Sequence, residues 1–103
     1  MKRLILAVAL LAAAPVAVLA AAKPYTGHEM AKSAHVTIEQ AQAIALKARP
    51  GKVTDKELEK EAGGSGLRYS FDITGVDGKP YEVGVDAADG KVLENAAEGK
   101  KPD

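Results

Sequence analysis

The chain has 103 residues, room for one small domain. Its 14 basic and 14 acidic residues balance and are interleaved, which argues against a nucleic-acid binder, whose affinity needs a basic face. It has no cysteine, and this excludes disulfide staples, thiolate chemistry and a lipoprotein anchor.

The first segment is set apart from the domain. Lys2 and Arg3 give a positive start, and Leu4 to Leu19 is an apolar run broken only by Pro15. Val18-x-Ala20 and Ala20-x-Ala22 both suit a signal peptidase, so residues 1–22 read as a secretory signal peptide cleaved after Ala20 or Ala22. The run is short for a span of roughly 20 residues. The expected product is periplasmic or secreted, with no stable membrane insertion after cleavage. Losing Lys2 and Arg3 leaves 12 basic against 14 acidic residues, a net charge near −2.

Residues 23–35 show no sustained apolar period, and Pro24 and Gly27 interrupt any regular element near the start, so this stretch reads as a flexible leader. It holds His28 and His35, seven apart. They would share a face only in a helix, and zinc or copper sites need three or four convergent donors. A solvated leader is the preferred reading, and no metal ligand is assigned. Next, Thr37-Ile38-Glu39-Gln40 fits a capping box, good helix formers continue to Ala48, and Arg49-Pro50-Gly51 stops the helix. At 100° per residue Ile38, Ala41, Ile44, Ala45 and Ala48 form one stripe, while Leu46 falls on the opposite side as a lone exposed apolar residue or part of a partner surface.

Lys52 to Glu61 is ambiguous. Thr54 to Glu57 resembles a second capping box, yet Val53 and Leu58 are the only strongly apolar residues, too few for a helical stripe. A strand is expected, with a bulge or late start because Val53 and Leu58 have opposite parity. Asp55, Glu57, Glu59 and Glu61 then line one exposed face, with Lys56 and Lys60 on the other.

Gly63-Gly64-Ser65-Gly66 leads into the organising hairpin. Leu67, Tyr69, Phe71 and Ile73 alternate, as do Tyr81, Val83 and Val85, with Asp77-Gly78 suited to the turn between them. Asp86 to Gly90 makes a second tight turn, Lys91 to Glu94 a short closing strand, and residues 96–103 a disordered tail. The Asp86/Asp89 pair lacks the oxygen spacing of a calcium loop and reads as turn chemistry. Such a hairpin is not stable alone and needs a helix on its apolar face.

Thr37-Ile-Glu-Gln-Ala, Ala43-Ile-Ala-Leu-Lys-Ala-Arg-Pro-Gly-Lys-Val, Leu67-Arg-Tyr-Ser-Phe-Asp-Ile and Tyr81-Glu-Val-Gly-Val-Asp-Ala-Ala-Asp-Gly-Lys-Val-Leu together resemble a PepSY domain over residues 36–95. The final Val-Asp-Ala-x-x-Gly-Lys-Val is the most specific part, and Lys56 departs from the apolar residue more usual at its position. The resemblance implies an α+β fold, one helix packed on an antiparallel sheet of about four strands in the order α-β-β-β-β. It implies a module of the kind found in protease propeptides and small exported bacterial proteins, with no catalytic residue to carry over.

The expected function is a non-enzymatic periplasmic module that binds and restrains a protease or another envelope protein through a strand edge, either Lys91–Glu94 or Lys52–Glu61. Leu46, Lys91, Val92 and Leu93 are the candidate partner-binding residues. The alternatives are a small-ligand or metal-sensing module and a homodimer that pairs edge strands. No catalytic, cofactor-binding or metal residue is assigned: Ser33, Ser65 and Ser70 have no nucleophile setting, and both histidines lie in the leader.

Overall fold

A computed structural model describes residues 24–99. The expected signal peptide and the tail from Lys100 onward lie outside the described residues. The elements run in the order of a 3-10 helix His28–Ser33, α1 Ile38–Ala48, β1 Gly51–Lys60, β2 Leu67–Gly75, β3 Pro80–Asp86 and β4 Val92–Ala97. The four strands form one antiparallel sheet in sequential order, β1-β2-β3-β4, with α1 against one face. This is the expected α+β arrangement.

α1 starts where local chemistry dictates. The Gln40 N–H donates to Thr37 Oγ1 at 3.0 Å and the Thr37 N–H donates to Gln40 Oε1 at 2.9 Å, satisfying two otherwise orphaned donors. Ile38, Ala41 and Ala45 are buried, and the two alanines let the helix lie close over the sheet. Asn95 finishes the other end by donating from Nδ2 to the Ala48 carbonyl at 3.3 Å, while Arg49 Nε donates to Asn95 Oδ1 at 3.0 Å. Leu46, expected on the far side, is half-buried and packs against the core cluster.

The sheet face under α1 is the core. Leu58, Tyr69, Phe71, Ile73, Val83 and Val85 are all under 2 % exposed. β1 is the expected strand, and it carries the bulge that the opposite parity of Val53 and Leu58 called for. Its register shifts between Val53 and Asp55, so Val53 pairs with Ile73 and Leu58 with Tyr69, and the bulge returns both apolar residues to one face. Lys56 pairs with Phe71 on that face; it lays its stem along the core and donates from Nζ to Gln42 Oε1 at 3.0 Å.

Two segments are more structured than their composition suggests. The stretch read as a flexible leader is built into the fold: Thr26 bridges Glu57, Leu58 N–H donates to the Thr26 carbonyl at 2.8 Å, and Tyr25 and Met30 pack on the core. The reason is tertiary, since the outer edge of β1 offers backbone partners that no local periodicity announces. Likewise β4 extends past Glu94 to Ala97, into the expected tail, because Ala96 and Ala97 stand opposite Glu82 and Tyr81.

Candidate functional site

The second tight turn is the junction of the molecule. Asp86 is 2 % exposed, and its carboxylate accepts from the Ser65 N–H at 2.7 Å, the Ser65 hydroxyl at 2.6 Å and the Ala88 N–H at 2.8 Å. The bond from the Ser65 hydroxyl, ahead of those from the Ala88 and Ser65 N–H groups, holds the Asp86 carboxyl below the usual carboxylate range. Next to it Ala87 is fully buried; its N–H donates to the Leu67 carbonyl at 2.9 Å, and its carbonyl accepts from His35 and Val36 at 2.9 and 3.0 Å. Gly90 closes the turn at φ +81°, a conformation costly for any side chain, with its N–H on the Asp86 carbonyl. Turn chemistry is therefore the right reading of Asp86, but the turn also ties together the Gly63–Gly66 loop, the start of β2 and the entry to α1. Tyr69 adds a tie, donating its hydroxyl to the Val36 carbonyl at 2.7 Å; burial pushes the phenol up to about 12.

The sheet's other face is polar but not simply solvated. Arg68 and Ser70 are 7 % and 4 % exposed although their parity is opposite to the core. Arg68 lies flat across Gly84, where a Cβ would stand 3.1 Å from Nη1 and 3.3 Å from Cδ. Its Nη1 meets Glu94 Oε1 at 3.3 Å, its Nη2 donates to the Ala62 carbonyl at 3.1 Å, and its Nε is buried without a partner. Ser70 donates to Glu59 Oε2 at 2.8 Å. Carboxylates dominate the rest of this face. Asp72 and Glu82 stand opposite each other on β2 and β3, and Glu98 follows β4. One oxygen from each of the three lies within 4.8 Å of the others. Burial first, then Glu94, Asp72, Glu98 and Glu59 around it, pushes the Glu82 carboxyl up to about 7. Burial and Asp55 also raise Asp72. This cluster was hidden in the sequence, because only the strand register brings Asp72, Glu82 and Glu98 together. With one oxygen from each, the three carboxylates supply half or fewer of the oxygens a calcium ion takes, and no metal is assigned to them.

The two sheet edges differ. The outer edge of β1 is partly covered by Tyr25 and Thr26, followed by Gly27 at φ +87°. A Cβ on Gly27 would fall on the Leu58 carbonyl oxygen, inside any van der Waals distance. Gly27→Ala is therefore expected to detach residues 24–34 and cost about 2 kcal/mol, one strained left-handed residue plus one lost backbone bond. Urea denaturation and limited proteolysis of the detached segment check this. At the other side of the sheet, β4 pairs with β3 alone among the described residues. Of the candidate partner-binding residues, Lys91 precedes β4 and is exposed, Val92 is 43 % exposed on it, and Leu93 is half-buried beside Gly64. Leu46, on α1 and half-buried in the core cluster, is no part of that edge.

His28 sits edge-to-face with Tyr25 at 6.0 Å between ring centroids, and His35 is exposed beyond the 3-10 helix. Neither belongs to a group of three potential ligand side chains among the described residues. An open groove of about 420 Å³ lies between Tyr25, Gln42, Val53 and Lys56. No helix among the described residues is long and apolar enough to cross a membrane.

The family model described as "Peptidase propeptide and YPEB domain", PepSY, matches residues 36–95, which is α1 and the whole sheet but for the last two residues of β4. The chain belongs to the PepSY family. No curated protein and no solved structure shows a significant match to it. PepSY domains are typically non-catalytic, propeptide- or inhibitor-like modules associated with proteases. The most specific stretch of the PepSY resemblance, Val85 to Val92, is the Asp86 junction and the entry to β4, so its recurring residues serve the fold. Residues 24–35, outside the matched PepSY span, supply the cover on β1.

Proposed function

We propose that this PepSY protein is a non-enzymatic periplasmic module that binds and restrains a protease or another envelope protein by lending β4 to the partner as an added strand. The observation that carries this is the difference between the two edges: Thr26 occupies the outer side of β1, whereas β4 has β3 on one side only among the described residues. An open edge offers a row of backbone donors and acceptors, and an incoming strand gains affinity from that row and selectivity from neighbouring side chains. Val92 and Leu93 supply apolar contact at the start of β4, and Lys91 a charge beside them. The signal-peptide reading of residues 1–22 supports the compartment.

The test pairs capture with inhibition. Purified protein is assayed against envelope proteases and used to retain partners from envelope extract, next to a Val92→Lys variant. Lysine on an exposed edge discourages strand addition, and at a 43 % exposed position it should change stability by no more than about 0.5 kcal/mol. The expected result is a retained protease, slowed by the native protein and not by Val92→Lys. Proteases untouched by either protein, with nothing retained, reject the reading.

The same open edge favours a second reading, a homodimer in which two β4 strands pair. Sedimentation of a monomer at high concentration removes it.

A further inference from the structure

The carboxylates of Asp72, Glu82 and Glu98 are drawn from three places with unequal freedom to move. Asp72 is on β2 and Glu82 on β3, strands paired on both sides. Glu98 sits beyond the last residue of β4, the edge strand, and its N–H donates to the Pro80 carbonyl at 3.0 Å as the final rung of the β3–β4 ladder. With one oxygen of each within 4.8 Å of the others, the three groups tolerate one another best when they share a proton. When all are ionised, like charges at that separation repel, and only the end of β4 can yield.

The charged groups around the cluster deepen the effect. β1 presents Asp55, Glu57 and Glu59 to this face, and β4 presents Glu94. Among the described residues the cations are few: Arg68 is engaged by Glu94 and the Ala62 carbonyl, and Lys52 lies one cross-strand pair further along, opposite Thr74. We propose that Asp72, Glu82 and Glu98 form a proton-operated latch on the end of β4, closed while the cluster holds a proton and loosened when all three are ionised. The latch governs the strand that the proposed function offers to a partner, and only that last consequence rests on the docking reading.

The sign follows from linkage. The Glu82 carboxyl is raised from 4.5 to about 7, so the closed state holds a proton that the open state releases. Closure is favoured at pH 5 and weakens as pH rises toward 7, then levels off.

The test is amide hydrogen exchange of the purified protein, read by NMR as protection factors at pH 5.5 and 8. Protection of the Glu98 amide should fall about tenfold or more across that range, a fraction of the change that a fully coupled shift of this size would give. The central amides of β2 and β3 should hold steady. Glu82→Gln and Glu98→Gln should each flatten the dependence, and the second, at the periphery, leaves the core untouched. A Glu98 amide whose protection is independent of pH, or a pH dependence unchanged in both variants, overturns the latch. Since no partner enters this experiment, its failure is separate from failure of the docking reading.

Discussion

Asp86→Ala is expected to cost about 3–4 kcal/mol of folding free energy, a large share for a domain of this size. The carboxylate closes three short hydrogen bonds that converge from two loops, at 2.6 to 2.8 Å. Bonds to a charged group contribute about 1.5–3 kcal/mol each, and they are not additive when they share one acceptor. Alanine would take the acceptor from the Ser65 hydroxyl and from the Ser65 and Ala88 N–H groups at once, and leave a void where the 2 % exposed carboxylate had been. Asp86→Asn, which keeps the shape and one acceptor oxygen, should lose roughly half as much. The pH dependence has a definite sign. Because the native carboxyl lies below its ordinary 3.8, its contribution is complete above that value and drains away as pH falls through the native one. Urea midpoints from pH 7 down to pH 3 read both effects. The native protein should lose stability on the acid limb that Asp86→Ala lacks. A midpoint shift worth less than 1 kcal/mol at pH 7 would mean the loops are held by something else.

Phe71→Ala should be at least as damaging, at about 3–5 kcal/mol. Phe71 is fully buried at the centre of the sheet, in line with Lys56 on β1 and Val83 on β3, and its ring stacks on Tyr69 at 6.5 Å between centroids. Neighbours on two strands and one short helix cannot close over the void left by a ring. Native domains hold roughly 0.05–0.15 kcal/mol per residue, so this loss approaches the whole stability of so small a unit. The expected outcome is collapse of amide chemical-shift dispersion near 37 °C, while Phe71→Leu, which keeps most of the volume, loses about 1–2 kcal/mol and stays folded. A Phe71→Ala protein with near-native dispersion and a loss below 2 kcal/mol would show that the core is not centred where the sheet register places it.

The two carboxyls with shifts of opposite sign divide the labour of this sheet. Asp86 is ionised and surrounded by donors, so it stiffens the junction across the neutral range. Glu82 is partly buried and surrounded by other acids, so it resists ionising and leaves the end of β4 sensitive to pH. Rigidity thus sits at the entry to β4 and compliance at its exit, on the strand with an open side.

Much of this was written locally in the chain. The capping box and the alanine stripe specify α1 because side-chain and backbone groups three residues apart settle a helix start among themselves. The alternation of Leu67 to Ile73 and Tyr81 to Val85 specifies the hairpin and its buried face, since period two leaves one arrangement that hides the apolar set. The opposite parity of Val53 and Leu58 called for the bulge that β1 has. What the sequence could not settle depends on register and on contacts between distant segments. Thr26 finds β1 thirty-one residues away at Glu57, giving order to a stretch with no periodicity. Asp86 finds Ser65 twenty-one residues back, which turns a turn residue into a junction. Asp72, Glu82 and Glu98 look like scattered surface acids until β2, β3 and the residue after β4 come side by side. Periodicity and caps are local energies, legible one segment at a time. Which edge stays open and which charges meet are decided only when the strands choose their partners.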